Sequence, residues 1–115
     1  VNALQHESAT RIWSGGNDGV VRSWDLESTV DNACVSQVTA SAGAWVTSIG
    51  IFSDVGLLAA PSSNGIAFID MRAGTRIRQQ YTQSPASQVT IPARGHQFFA
   101  GIGSDVVQYD TRCFF

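Results

Sequence analysis

Three stretches of the chain share one pattern of apolar and polar positions. Arg11 to Leu26 reads RIWSGGNDGVVRSWDL, Gly56 to Met71 reads GLLAAPSSNGIAFIDM, and Gln97 to Thr111 reads QFFAGIGSDVVQYDT. Each is an apolar run, a small polar turn, and an alternating run that closes on an aromatic residue or Ile followed by Asp. Val20–Trp24 and Ile66–Ile69 are short, β-branched and aromatic, which predicts strands. Asn17-Asp18-Gly19, Ser63-Asn64-Gly65 and the shorter Ser104-Asp105 supply residues that tolerate positive φ, as a twisted hairpin turn requires. Each stretch is therefore expected to form a β-hairpin.

The flanking segments extend each hairpin into a larger unit. Val1 to Leu4, Trp45 to Phe52 and Gln88 to Ile91 predict first, inner strands, while Ala33 to Thr39 and Arg76 to Tyr81 predict fourth, outer strands. No helical periodicity persists over a useful length. The closing pairs Trp24-Asp25, Ile69-Asp70 and Tyr109-Asp110 are separated by 45 and 40 residues. That spacing is expected of a repeat of about 40–45 residues with four strands per unit. The units fall at approximately 1–40, 41–83 and 84–115.

The first unit resembles the WD-repeat β-propeller family, through Ser14-Gly15, Asp18-Gly19, Val21, Arg22 and Trp24-Asp25. The other two units keep the spacing and strand pattern with less of the signature. The resemblance implies an all-β protein with about three blades of four-stranded antiparallel sheet. Because rings close with about 4–8 blades, this one would be incomplete. The C-terminal part of a larger propeller is therefore expected, with two copies closing a six-bladed ring as the alternative. In this family the last blade commonly takes its outermost strand from the N-terminal end of the chain, and Phe114 and Phe115 are expected to pack against that strand.

The resemblance also implies a buried polar network that fixes each turn, rather than catalysis. Ser14, Asp18 and Trp24 match it in the first unit, and Asp105 and Tyr109 match it in part in the third. In the second, Ser63 or Asn64 stands where Asp belongs and Ile69 replaces Trp. Asp70-Met71-Arg72 and Asp110-Thr111-Arg112 resemble a docking motif of substrate receptors for cullin-type ubiquitin ligases, which makes Arg72 and Arg112 candidate partner-binding residues. Glu27 breaks that motif in the first unit, and an ordinary surface ion pair is the competing reading. Trp45, at the entrance of an inner strand, is a third candidate, since large aromatics at a rim are frequent binding anchors. Trp13 and Phe98-Phe99 are expected to pack between units.

Composition narrows the function classes. The 115 residues are 43% apolar and 14% charged, enough apolar surface for one soluble domain. Seven Arg, no Lys and nine acids give a net charge of -2, so no basic field is available for nucleic acid or a membrane surface. No apolar run approaches the roughly 20 residues that span a bilayer, and no signal or transit peptide is visible. Cys34 and Cys113 fall in the outer regions of different units, too far apart for a disulfide. A cytoplasmic location is expected, with the nucleus the other reducing compartment.

His6 and His96 are the only histidines, and neither has neighbours at metal-ligand spacing. No Gly-x-Ser-x-Gly elbow occurs, and Gly101-Ile102-Gly103 lacks the third Gly of a dinucleotide site. No catalytic residue, cofactor or metal is expected. A non-enzymatic protein–protein interaction scaffold is the function that the resemblance implies. Its partners would be proteins or peptides, together with the remaining blades or another copy. The alternative is a substrate-receptor or regulatory domain of a larger enzyme complex, such as a cullin-type ubiquitin ligase.

Overall fold

A computed structural model describes residues 2–27, 34–40, 43–52, 55–90, 97–110 and 112. These residues form three antiparallel sheets. The first contains β1 (Ala3–His6), β2 (Arg11–Gly15), β3 (Val20–Asp25) and β4 (Cys34–Thr39), in that order. The second contains β5 (Gly50–Phe52), β6 (Leu57–Ser62), β7 (Gly65–Asp70) and β8 (Thr75–Tyr81). The third runs β9 (Ala86–Thr90), β10 (Gln97–Ile102) and β11 (Asp105–Asp110), with β11 at its edge. Among the described residues no helix is long and apolar enough to cross a membrane.

The sheets stack face to face, with the second in the middle. Because side chains alternate along a strand, β6 sends Leu58 and Ala60 towards the first sheet and Leu57 and Ala59 towards the third. β7 divides likewise, with Ala67 and Ile69 on one side and Ile66 and Phe68 on the other. One core joins Trp13, Val21 and Val38 to Val46, Ile49, Leu58 and Ile69. The other joins Leu57, Ile66 and Phe68 to Ala86, Val89, Phe98 and Ala100. Phe98 stacks on Tyr109 with centroids 5.2 Å apart and meets Phe52 at 4.9 Å, so aromatic rings fill the second interface.

Of the residues expected between units, Trp13 and Phe98 are fully buried there. Phe99 is not: it lies opposite Gln108 on the outer face of the third sheet, and is exposed. The alternation of β10 admits only one of two adjacent aromatics to the interface.

The inner strand expected over Trp45 to Phe52 is shorter in the structure. β5 pairs with β6 only from Gly50↔Ala59 to Phe52↔Leu57, and upstream of it only Val46 bridges to Ser62. Pro61 is the physical reason. Its carbonyl accepts from Thr47 N at 2.9 Å on the β5 side, where a non-proline residue would also direct its own N–H, so the ladder lacks a donor there. The third-unit strand begins at Ala86, two residues ahead of the expected Gln88.

At the turns, the positive φ values belong to glycines: Gly19 (76°), Gly65 (150°) and Gly103 (59°). Among the described residues no other residue type takes a positive φ, so Asp18, Asn64 and Ser104 do not use the tolerance expected of them. Gly65 is the most constrained, because a Cβ there would lie 2.0 Å from the Gln80 carbonyl oxygen on β8. Gly74 shares a positive φ, yet a Cβ there would meet nothing within 4 Å. Gly65→Ala is therefore expected to cost about 3 kcal/mol or more and Gly74→Ala about 1–2 kcal/mol, from left-handed strain alone. Chemical denaturation of both variants measures the difference.

Candidate functional site

The segment Trp45–Thr47 joins all three sheets. Val46 N donates to Gly16 O at 3.1 Å in the turn of the first sheet, and Thr47 N donates to Pro61 O at 2.9 Å in the second. Thr47 Oγ1 donates to Ala86 O at 2.8 Å in the third. The Val46 side chain fills the space at Gly15, where an added Cβ would come within 2.4 Å of Val46 Cγ1. Trp45 is itself clamped by Ser63, which accepts from Trp45 N through its hydroxyl at 3.1 Å and donates its own N–H to Trp45 O at 3.0 Å.

With its backbone so held, Trp45 is 60% exposed. It borders an open cavity of about 450 Å³ shared with Asn2, Asn17 and Thr47. The Asn2 side-chain amide donates to Asn17 Oδ1 beside it. A large exposed ring on a rigid mount, flanked by amide and hydroxyl groups, can cover an apolar group and hydrogen-bond the polar atoms around it. Little conformational entropy remains to be lost on binding.

The residues expected to form a polar network are only partly brought together. Trp24 Nε1 donates to Ser14 Oγ at 2.9 Å, joining neighbouring strands on the outer face of the first sheet. Asp18 takes no part in that pair. It is exposed, accepting from Val20 N at 3.1 Å and from Arg22 Nη2 at 3.0 Å. The Val20 hydrogen bond, with the Arg22 guanidinium second, holds its carboxyl below the usual carboxylate range. The short turn carries Asp18 out over the hairpin, beyond the reach of the Ser14 hydroxyl.

In the third sheet Asp105 and Tyr109 lie apart. Asp105 opens β11, exposed and opposite Ile102, whereas Tyr109 packs inward and donates its hydroxyl to Gln80 Oε1 at 2.9 Å. Burial raises the Tyr109 phenol above its ordinary value.

The Asp residues that close the repeats have one recurring role. Asp25 Oδ1 accepts from Glu27 N at 3.0 Å, Asp70 Oδ1 from Arg72 N at 3.0 Å, and Asp110 Oδ1 from Arg112 N at 2.9 Å. Each carboxylate thereby fixes the turn that leaves the third strand of its sheet. Glu27 at the first of these positions shows that the turn needs only the backbone N–H, not Arg. Arg112 also engages Asp110 through its side chain, with Nη2 2.6 Å from Oδ2. Arg72 instead lays its stem over the bare Cα of Gly56, where a Cβ would meet Nε at 3.0 Å. Sequence reasoning missed Arg11 and Glu7, which share a cavity with Arg72. His6 Nδ1 lies 3.2 Å from Ser8 O, and His96, Cys113, Phe114 and Phe115 lie outside the described residues.

Ser14→Ala leaves the Trp24 indole N–H without its acceptor and is expected to cost about 1–2 kcal/mol. Asp18→Asn should leave the denaturation midpoint close to the parent's, because the side chain is half exposed and an amide oxygen can still accept from Val20 N. Comparing the two midpoints checks the ordering. Tyr109 contributes a pH dependence. Its raised folded value means that stability holds below the ordinary tyrosine range and falls as pH rises through it, because the unfolded chain ionises first. Tyr109→Phe should flatten that alkaline fall in denaturation curves recorded across the range.

No family model and no curated protein matches the chain. Among solved structures it is similar to the computationally designed Ika8 protein, with a TM-score of 0.77 at 15% sequence identity. The likeness covers 96% of this chain and 33% of that one, so the chain spans about a third of the length of the solved structure it matches. At that identity the likeness is one of fold: an all-β protein of repeated antiparallel sheets.

Proposed function

We propose that the protein is a non-enzymatic interaction scaffold, built as part of a propeller of the WD-repeat kind, that binds proteins or peptides. The observation that carries this reading is Trp45, a large exposed ring on a segment hydrogen-bonded to all three sheets. Rigid mounting beside a polar cavity is the arrangement of a binding anchor. The stacking of three similar sheets supports the propeller. So do the outer faces of the first and third sheets, where exposed Leu4, Phe99 and Val106 offer further sheets an apolar surface. These sheets would come from the rest of a larger ring or from a second copy. The Asp-x-Arg turns lend less to the ubiquitin-ligase reading, because all three closing Asp side chains have a structural use and Arg112 is held by Asp110.

The test is affinity capture from cell extract with the full-length protein and its Trp45→Ala variant, each first verified to melt alike. The expected result is a set of proteins retained by the parent and lost, by at least about tenfold, from the variant. Identical retention by both forms, or turnover of a small-molecule substrate by the purified protein, would overturn the reading.

A further inference from the structure

Trp45 is one of two exposed aromatic side chains mounted on a single hairpin turn, Ser63-Asn64, between β6 and β7. On the β5 side the turn holds Trp45 through the paired hydrogen bonds with Ser63. On the β8 side Asn64 O accepts from Thr82 N at 3.1 Å, and Gly65 pairs with Tyr81, the last residue of β8. Tyr81 is 72% exposed. Its cross-strand partner Gly65 offers no side chain for the ring to pack on, and none fits there, since an added Cβ would lie 2.9 Å from Tyr81 Cα.

The register fixes how far apart the two anchors stand. Trp45 runs alongside β6, and Tyr81 lies on β8 with β7 between, so their backbones are separated by three strand spacings in all, about 14 Å. A polyproline II chain rises about 3.1 Å per residue, and four or five residues of it cover that distance.

Chemistry at this end of the sheets is neutral. Residues 35–53, 55–69 and 79–93, which supply Trp45, the turn and Tyr81, contain no Asp, Glu, Arg or Lys. The cavity beside Trp45 is completed by Asn2, Asn17 and Thr47, and Asp18 in the neighbouring turn is engaged by Arg22. A charged ligand group would give up water here and gain no opposite charge, which favours an uncharged occupant. Among the described residues neither the Trp45 indole N–H nor the Tyr81 hydroxyl has a hydrogen-bond partner. The indole only donates, so it suits a chain whose carbonyls are free of internal hydrogen bonds. Polyproline II supplies such carbonyls, and each proline adds a ring that packs on an aromatic face without an N–H to satisfy.

We propose that this end of the middle sheet binds an uncharged, proline-rich segment of a partner polypeptide in the polyproline II conformation, laid across the Ser63-Asn64 turn from Trp45 to Tyr81. The ligand class rests on the scaffold reading at Trp45. Proteins captured through Trp45 without any binding of proline peptides would overturn the ligand class alone, so the two failures are distinguishable.

The experiment follows the Trp45 indole N–H and Tyr81 ring resonances of the isotope-labelled full-length protein. The probe is capped decaproline, compared with capped triproline, which is too short to reach both rings, and with a proline-free Ala/Gln decapeptide. Decaproline is expected to shift both sets of signals saturably, with an affinity that changes less than about twofold as salt is raised. Triproline should bind more weakly, and the Ala/Gln peptide should shift neither set. Trp45→Ala should weaken decaproline about tenfold with the backbone spectrum retained. Tyr81→Ala should weaken decaproline about fivefold and leave triproline at Trp45 unaffected. Equal shifts from the Ala/Gln peptide would overturn the proline assignment. Unchanged decaproline affinity in Tyr81→Ala would overturn the path between the two rings. Decaproline flanked by two glutamates or two lysines should bind as the plain peptide does, and a marked gain from either pair would overturn the uncharged class.

Discussion

β6 and β7 have no solvent face, and the rest of the molecule follows from that. A strand buried on one side needs an apolar residue at every second position, whereas these two need one at nearly every position. Leu57-Leu58-Ala59-Ala60 and Ile66-Ala67-Phe68-Ile69 meet the requirement, and all eight are fully buried. Polar groups in the middle sheet must then find partners inside it. Ser62 does so, donating to Gly65 O at 3.1 Å across its own turn. The two flanking sheets each bury one face against this middle layer and keep the other open.

The same constraint places the candidate site. With the broad faces of the middle sheet covered, its connections emerge only at the ends of the strands, between layers. Trp45 stands at one end, where a single segment is hydrogen-bonded to the first, second and third sheets in turn. Arg11 and Arg72 line one cavity at the other end, with Gly56 between the turns of the two sheets. Further hydrogen bonds link the layers: Arg76 Nη1 donates to Ala40 O at 3.1 Å, and the Tyr109 hydroxyl donates to Gln80. The Trp45 segment therefore sits on a cross-braced part of the fold, and a bound group there would meet a surface with little freedom to lose.

The hairpins were legible in the sequence because their signals are local. Asn17-Asp18-Gly19 and Ser63-Asn64-Gly65 interrupt apolar runs at a fixed distance from the closing Asp, and the glycines alone supply the positive φ values. The Ser14–Trp24 hydrogen bond was legible from their places on adjacent strands. What escaped the sequence depends on neighbours distant in the chain. Pro61 truncates the pairing of β5 by withholding a donor, an effect visible only once the partner strand is known. Asp18 has the residue type of a network member, but the turn carries it into solvent beside Arg22. Phe98 and Phe99 look alike in sequence, and only the stacking order separates a core ring from an exposed one. The Arg11–Arg72 cavity joins residues far apart in the chain, and nothing local announces it.

Adjacent residues on β6 give the most direct measurement of the double-faced burial. Leu57 points to the third sheet and Leu58 to the first, and both are fully buried. Leu57→Ala and Leu58→Ala should each lower the unfolding free energy by about 2–5 kcal/mol in chemical denaturation of the full-length protein. A strand with one solvent face would show that loss at one of the two positions and almost none at the other, and such a result would contradict a middle sheet held between two others.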